Sequence, residues 1–99
     1  MNPEKIQTLH TKKGKTNKSI SLEKYQVIKF HLLAIAKQSQ PDHTELMEQL
    51  FARVKDNFKG GVQWYGETVK LDLEARGIIE RIPGKPEKYK LSKTNGIEN

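Results

Sequence analysis

Apolar residues are sparse as far as Lys18, then gather into three stretches at helical spacing, and finally into two short runs with strand-like alternation. Residues 1–18 are polar, lack sustained periodicity and carry the run Thr11-Lys12-Lys13-Gly14-Lys15-Thr16-Asn17-Lys18, which predicts a loop or mobile arm. Ser21 is a good N-cap, and Ile20 and Tyr25 stand around it as a hydrophobic staple would, so a first helix is expected from there to about Gln38. Its apolar positions cover far more than one stripe, which predicts burial on most sides and a central place in the core. Asp42 with Glu45 has the spacing of a capping box for a second helix, and Thr44 is an equally good cap. Leu46, Met47, Leu50, Phe51, Val54 and Phe58 then recur at helical spacing and give that helix one apolar face. After Gly60-Gly61 a third helix is expected over residues 62–76, with Gly77 where a left-handed C-terminal residue is wanted. Two strands, residues 78–82 and 88–92, follow around a Pro/Gly/Lys turn.

Three helices and a terminal hairpin in this order read as an α+β fold of the winged helix-turn-helix type, a three-helix bundle followed by a two-stranded wing. The expected organisation is a basic flexible arm at 1–18, a winged-helix domain at 19–93 and a disordered tail at 94–99. Ninety-nine residues with 34% apolar and 30% charged side chains suit one globular unit with a modest core. The absence of cysteine excludes a disulfide framework, a thiolate metal site and a cysteine nucleophile. With no apolar leader and no long apolar run, a cytoplasmic location is expected and a membrane partner is not.

Charge is distributed unevenly. The net charge is +6, and residues 1–20 contribute most of it, with Lys5, Lys12, Lys13, Lys15 and Lys18 against Glu4 alone. In the wing, Arg81, Lys85, Lys88, Lys90 and Lys93 outnumber Glu80 and Glu87. A basic arm plus a basic wing is the electrostatic outline of a protein that touches phosphates. The third helix is less suited to reading bases. Val62, Tyr65, Val69 and Leu73 form its core line, Trp64, Thr68, Leu71 and Ala75 a second apolar line, and Gln63, Glu67, Lys70 and Glu74 the arc between. Base edges are matched by Arg, Lys, Asn or Gln, so Gln63 and Lys70 offer limited contacts while Glu67 and Glu74 oppose phosphates. The second apolar line calls for a cover, either the arm through Ile6, Leu9 or Ile20, a second copy of the chain, or a partner protein.

Trp64-Tyr65, the run Val69-Lys70-Leu71-Asp72-Leu73-Glu74-Ala75-Arg76-Gly77, Ile78-Ile79-Glu80-Arg81 and Pro83-Gly84-Lys85 resemble a family of small, uncharacterised bacterial winged-helix proteins. The likeness reaches upstream to Lys24-Tyr25 and spans roughly residues 5–92. It implies the fold and an expectation of DNA binding, and it brings no catalytic residue and no ligand.

Motifs for chemistry are incomplete. Gly14-Lys15-Thr16 resembles the end of a phosphate-binding loop, but Leu9 stands where the first glycine belongs. His43-Thr44-Glu45 lacks the cysteine pair of a zinc deaminase. Asn17-Lys18-Ser19 is a glycosylation sequon without a secretory route. His10, His31 and His43 show no ligand spacing, and no serine has a paired His and carboxylate in view. The expectation is therefore a non-enzyme without cofactor, metal or small-molecule substrate. Two functions remain. One is a DNA-binding protein, such as a transcriptional regulator, with weak sequence dependence, using Lys12, Lys13, Lys15, Lys18, Gln63, Lys70, Arg81, Lys85, Lys88 and Lys90. The other is a protein-interaction or homodimerisation module using Trp64, Thr68, Leu71 and Ala75.

Overall fold

Helix α1 (Leu22–Gln38) begins where Ser21 accepts a hydrogen bond from the Lys24 amide, and ends at Ser39, whose amide bonds back to the Ile35 carbonyl. Helix α2 (His43–Val54) opens on a reciprocal capping box, the Glu45 amide donating to Asp42 at 2.8 Å and the Asp42 amide to Glu45 at 3.0 Å. Thr44, the other expected cap, is the second residue inside this helix. Helix α3 (Val62–Ala75) ends at Gly77, with φ +77°, while the Ile78 amide reaches the Leu73 carbonyl and the Gly77 amide that of Glu74. Glycine fits there because that backbone conformation costs other residues steric strain.

The computed structural model describes residues 4–12 and 15–92. Among these, the three helices are flanked by two antiparallel hairpins, making a mixed α+β chain. Strands β1 (Lys5–Leu9) and β2 (Thr16–Ser21) form the first hairpin, and β3 (Ile79–Ile82) and β4 (Lys88–Leu91) the second. A lone bridge joins Asp42 to Lys88, and the Tyr89 amide donates to the Pro41 carbonyl at 2.9 Å, so the second hairpin is tied to the residues that open α2.

Two expectations are corrected. The segment read as a loop or arm is a hairpin over most of its described length. Ile6 pairs with Ile20, the latter buried in the core, and Thr8 is buried with its hydroxyl donating to the Lys18 carbonyl. Alternation is present there, but one of its inward positions is a threonine, which hides the apolar period. Helix α1, expected to be buried on most sides, buries one stripe: Tyr25, Ile28, Leu32, Ile35 and Ala36. Val27 and Phe30 point outward, Phe30 with 67% of its surface exposed. The tail at 94–99 lies outside the described residues.

The core joins α1, α2 and α3 through Leu32, Leu46, Leu50, Val69 and Leu73, with Ile79 and Tyr89 from the second hairpin. Gly66 lets α2 and α3 approach closely, since a Cβ there would lie 2.7 Å from Leu50 Cδ2.

Candidate functional site

Helix α3 carries a fully buried carboxylate, Asp72, on the side facing the first hairpin. The Leu9 amide of β1 donates to its Oδ1 at 2.8 Å, the Tyr25 hydroxyl of α1 donates to Oδ2, and Arg76 Nε lies 2.9 and 2.8 Å from the two oxygens. Arg76 also reaches the Gln7 carbonyl at 3.4 Å. A buried charge is tolerated when it is paired and its remaining lone pairs are filled, as these are. Burial and the hydrogen bond to Asp72 push the Tyr25 hydroxyl above its ordinary range, and the same carboxylate raises Arg76. Three elements distant in sequence, β1, α1 and α3, thus meet at one side chain.

A second network joins α3 to the second hairpin. Arg81 spans Glu74 through Nε at 3.0 Å and Nη2 at 3.3 Å, and reaches Glu87 at 3.1 Å. The bond to Glu74 raises the Arg81 guanidinium above its ordinary value. Lys70 Nζ donates to the Tyr89 hydroxyl at 3.1 Å and stands 3.8 Å from Glu74. Lys90 pairs with Glu80 at 3.7 Å.

These contacts sort the expected nucleic-acid-binding residues. Lys12, Lys15 and Lys18 are exposed around the turn of the first hairpin, and Lys85 and Lys88 are exposed at the turn of the second. Lys13 lies outside the described residues. Arg81 and Lys90 are held by carboxylates. Lys70 is corrected: it is 5% exposed and turned inward against Tyr89, so its ammonium is not offered to a phosphate. Gln63 is exposed and donates to Glu67 at 3.0 Å, while His43 stands 3.7 Å from the same carboxylate.

The expected protein interface is also divided. Thr68 is corrected, being buried one helical turn before Asp72 on the side against which the first hairpin packs. Leu71 is half-buried and Ala75 exposed. Trp64 is 48% exposed, edge-on to Tyr65, which in turn meets Phe58. Lys24 lies over the Tyr65 and Phe58 rings at 5.1 and 5.7 Å. The arm, one of the three covers considered for this line, folds back on α3 and leaves Trp64 in the open.

Between the turn of the first hairpin and the base of the second lies an open groove of about 620 Å³, lined by Thr11, Glu74, Arg76, Gly77, Ile79, Glu80, Arg81 and Ser92. Its two arginines are balanced by two glutamates. Among the described residues no cluster of His, Asp and Glu could hold a metal ion, and no helix is long and apolar enough to cross a membrane.

One family model matches residues 5–89, from the first residue of β1 into β4. The chain belongs to DUF6958, a family of unknown function. The DUF6958 match takes in the first hairpin and most of the second, and it includes Leu9, Tyr25, Asp72 and Arg76. No curated protein matches the sequence. Sequence reasoning missed the role of Asp72 in this DUF6958 chain, although one signal was there. At 100° per residue Asp72 falls between Thr68 and Val69, inside the arc that α3 buries, and it precedes an arginine by one turn.

Proposed function

We propose that this chain is a cytoplasmic winged-helix protein that binds duplex DNA through the phosphate backbone, with little dependence on base sequence. The observation carrying this reading is that, among the described residues, both hairpins present exposed cations without an ion pair and α3 presents none; Lys37, Lys55 and Lys59 add further unpaired cations near the ends of α1 and α2. Among the described residues, Lys12, Lys15, Lys18, Lys85 and Lys88 are exposed and make no ion pair, whereas α3 turns Gln63, Trp64 and Glu67 outward. The winged-helix assignment is supported by the element order after Ser21 and by the Asp42 to Lys88 bridge, which puts a strand-like residue between α1 and α2 beside the second hairpin. A family resemblance to bacterial winged-helix proteins points the same way.

Each phosphate neutralised contributes about 0.9 to the slope of log affinity against log salt, so five free lysines give a slope of about 4.5. Titration of labelled random duplex at several salt concentrations measures it. Slopes within error of zero, or no binding at low salt, would reject the proposal.

A second reading, a protein or dimer interface, is favoured by the exposed Trp64 and by Phe51, which is 54% exposed on α2. Phe51 lines a groove with Gln63, the chain neighbour of Trp64, and large apolar side chains left in solvent are a common feature of interaction surfaces. Light-scattering mass of the free protein, with Trp64→Ser as the comparison, separates a dimer from a monomer.

A further inference from the structure

We infer that Asp72 is a positioning residue for nucleic-acid binding, clamping the turn half of the first hairpin so that Lys12, Lys15 and Lys18 face one phosphate track; this rests on the backbone-binding reading above. The hairpin is attached to the body of the protein at two ends. Its base is held by Ile20 in the core, by Ile6 packed against that core, and by the Leu22 amide donating to the Glu4 carbonyl at 2.9 Å. Its turn half has a different anchor. Pairing runs in register from Lys5 with Ser21 to Gln7 with Ser19 and then shifts, so that Leu9 faces Thr16. At that irregularity the Leu9 amide donates to Asp72. Arg76, itself held by Asp72, reaches the Gln7 carbonyl on the same strand. A buried carboxylate of α3 therefore takes over where the strand ladder falters, three residues before Lys12.

An isolated two-stranded hairpin is marginal in water, so a turn half cut loose from α3 would fray and its three ammoniums would no longer hold a fixed spacing. Pre-ordered charges neutralise phosphates together, whereas ordering a frayed residue costs roughly 5- to 30-fold in affinity, enough to offset a single exposed phosphate contact, so frayed lysines stay unbound. The clamp thus converts a basic segment into a pre-set phosphate contact.

The test compares the full chain with Asp72→Ala and Asp72→Asn. Alanine removes the carboxylate that accepts from Leu9 and Arg76, leaving Arg76 only the Gln7 carbonyl. Asparagine keeps one oxygen facing the Leu9 amide, and although its NH2 then opposes Arg76 Nε, the bond to the strand is retained, so it should rescue the clamp. Wild type, with a slope of about 4.5, should lose roughly 500-fold in affinity across a fourfold rise in salt, and Asp72→Ala, with three contacts gone and a slope of about 1.8, only about 12-fold. Asp72→Asn should stay near wild type. In the Lys12→Ala, Lys15→Ala, Lys18→Ala background, Asp72→Ala should leave the slope unchanged. A change in global stability alone would not alter the slope while the protein remains folded.

Amide hydrogen exchange provides a readout that needs no DNA. In wild type the Leu9 amide should be protected; in Asp72→Ala that protection should fall while Leu32, Leu50 and Val69 keep theirs. An unprotected Leu9 amide in wild type overturns the clamp even if Asp72→Ala fails to fold. A wild-type salt slope in folded Asp72→Ala overturns the positioning role. Absence of DNA binding by wild type, with Leu9 protected, overturns the backbone-binding reading instead.

Discussion

The approach of α2 to α3 at Gly66 makes a prediction whose magnitude can be worked from neighbouring atoms. In Gly66→Ala the new methyl would lie 2.7 Å from Leu50 Cδ2, 3.0 Å from Met47 Sδ and 3.3 Å from Met47 Cε. Met47 is unbranched and borders an open groove with Glu48, Phe51 and Gln63, so its thioether can swing away. Leu50 is fully buried and can retreat only by repacking the core. Overpacking of this kind costs about 1–3 kcal/mol. Alanine recovers about 1 kcal/mol over glycine in a helix interior. The net expectation is a loss of about 1 kcal/mol, or a fall in Tm of roughly 4–8 °C for a chain of this size. Urea melts of wild type, Gly66→Ala, Leu50→Val and the double variant measure it. Leu50→Val removes bulk next to the new methyl, so the two substitutions should couple favourably, the double variant being more stable than the sum of the single changes. A Gly66→Ala protein about 1 kcal/mol more stable than wild type would mean that helix propensity acts alone and that the two helices do not meet as described.

Two further outcomes follow from the ends and edges of the helices. Asp42→Ala removes the acceptor of the α2 capping box and should cost about 1 kcal/mol, read as a lower Tm, while Asp42→Asn should restore most of it; equal Tm values for all three would refute the cap's contribution. Burial, with Arg53 beside it, holds the His31 imidazole below its ordinary value of 6.5, so the folded chain binds fewer protons than the unfolded chain just below that pH. The His31 contribution to stability is therefore complete above about pH 6.5 and is lost as pH falls through the depressed folded value. His31→Gln should lose less stability than wild type between pH 7 and pH 5, measured by denaturant midpoints, and parallel losses would contradict this.

What could be read from the sequence follows from how local each feature is. The caps at Ser21 and Asp42 and the left-handed turn at Gly77 depend on residues within a few positions, and α1 and α2 start, and α3 stops, where those signals stand, whereas α2 ends at Val54 and leaves Phe58 outside the helix. The second hairpin was equally legible, because its strands flank a turn rich in Pro and Gly. The first hairpin was not, because few of its positions are apolar and its anchor to α3 comes from a carboxylate far along the chain. Lys70 differs from its sequence reading for a related reason: the helical wheel sets it beside Gln63 and Glu67, but Tyr89 of β4 folds over it and supplies a hydroxyl. Phe30 and Val27 make α1 look buried all round, whereas only one of its faces meets other elements. Gly66 gives no sign of its role in a single sequence, since its closest neighbours belong to another helix.

The bond between Leu9 and Asp72 spans 63 positions of the chain. During synthesis the first hairpin leaves the ribosome before α3, yet the group that secures Leu9 is not made until α3 is nearly complete. Closing so long a loop has to await the helices that bring the two ends together, which makes this contact a late event in folding. The lysine-bearing hairpin is therefore synthesised before α3 yet takes its final shape only once that helix is in place.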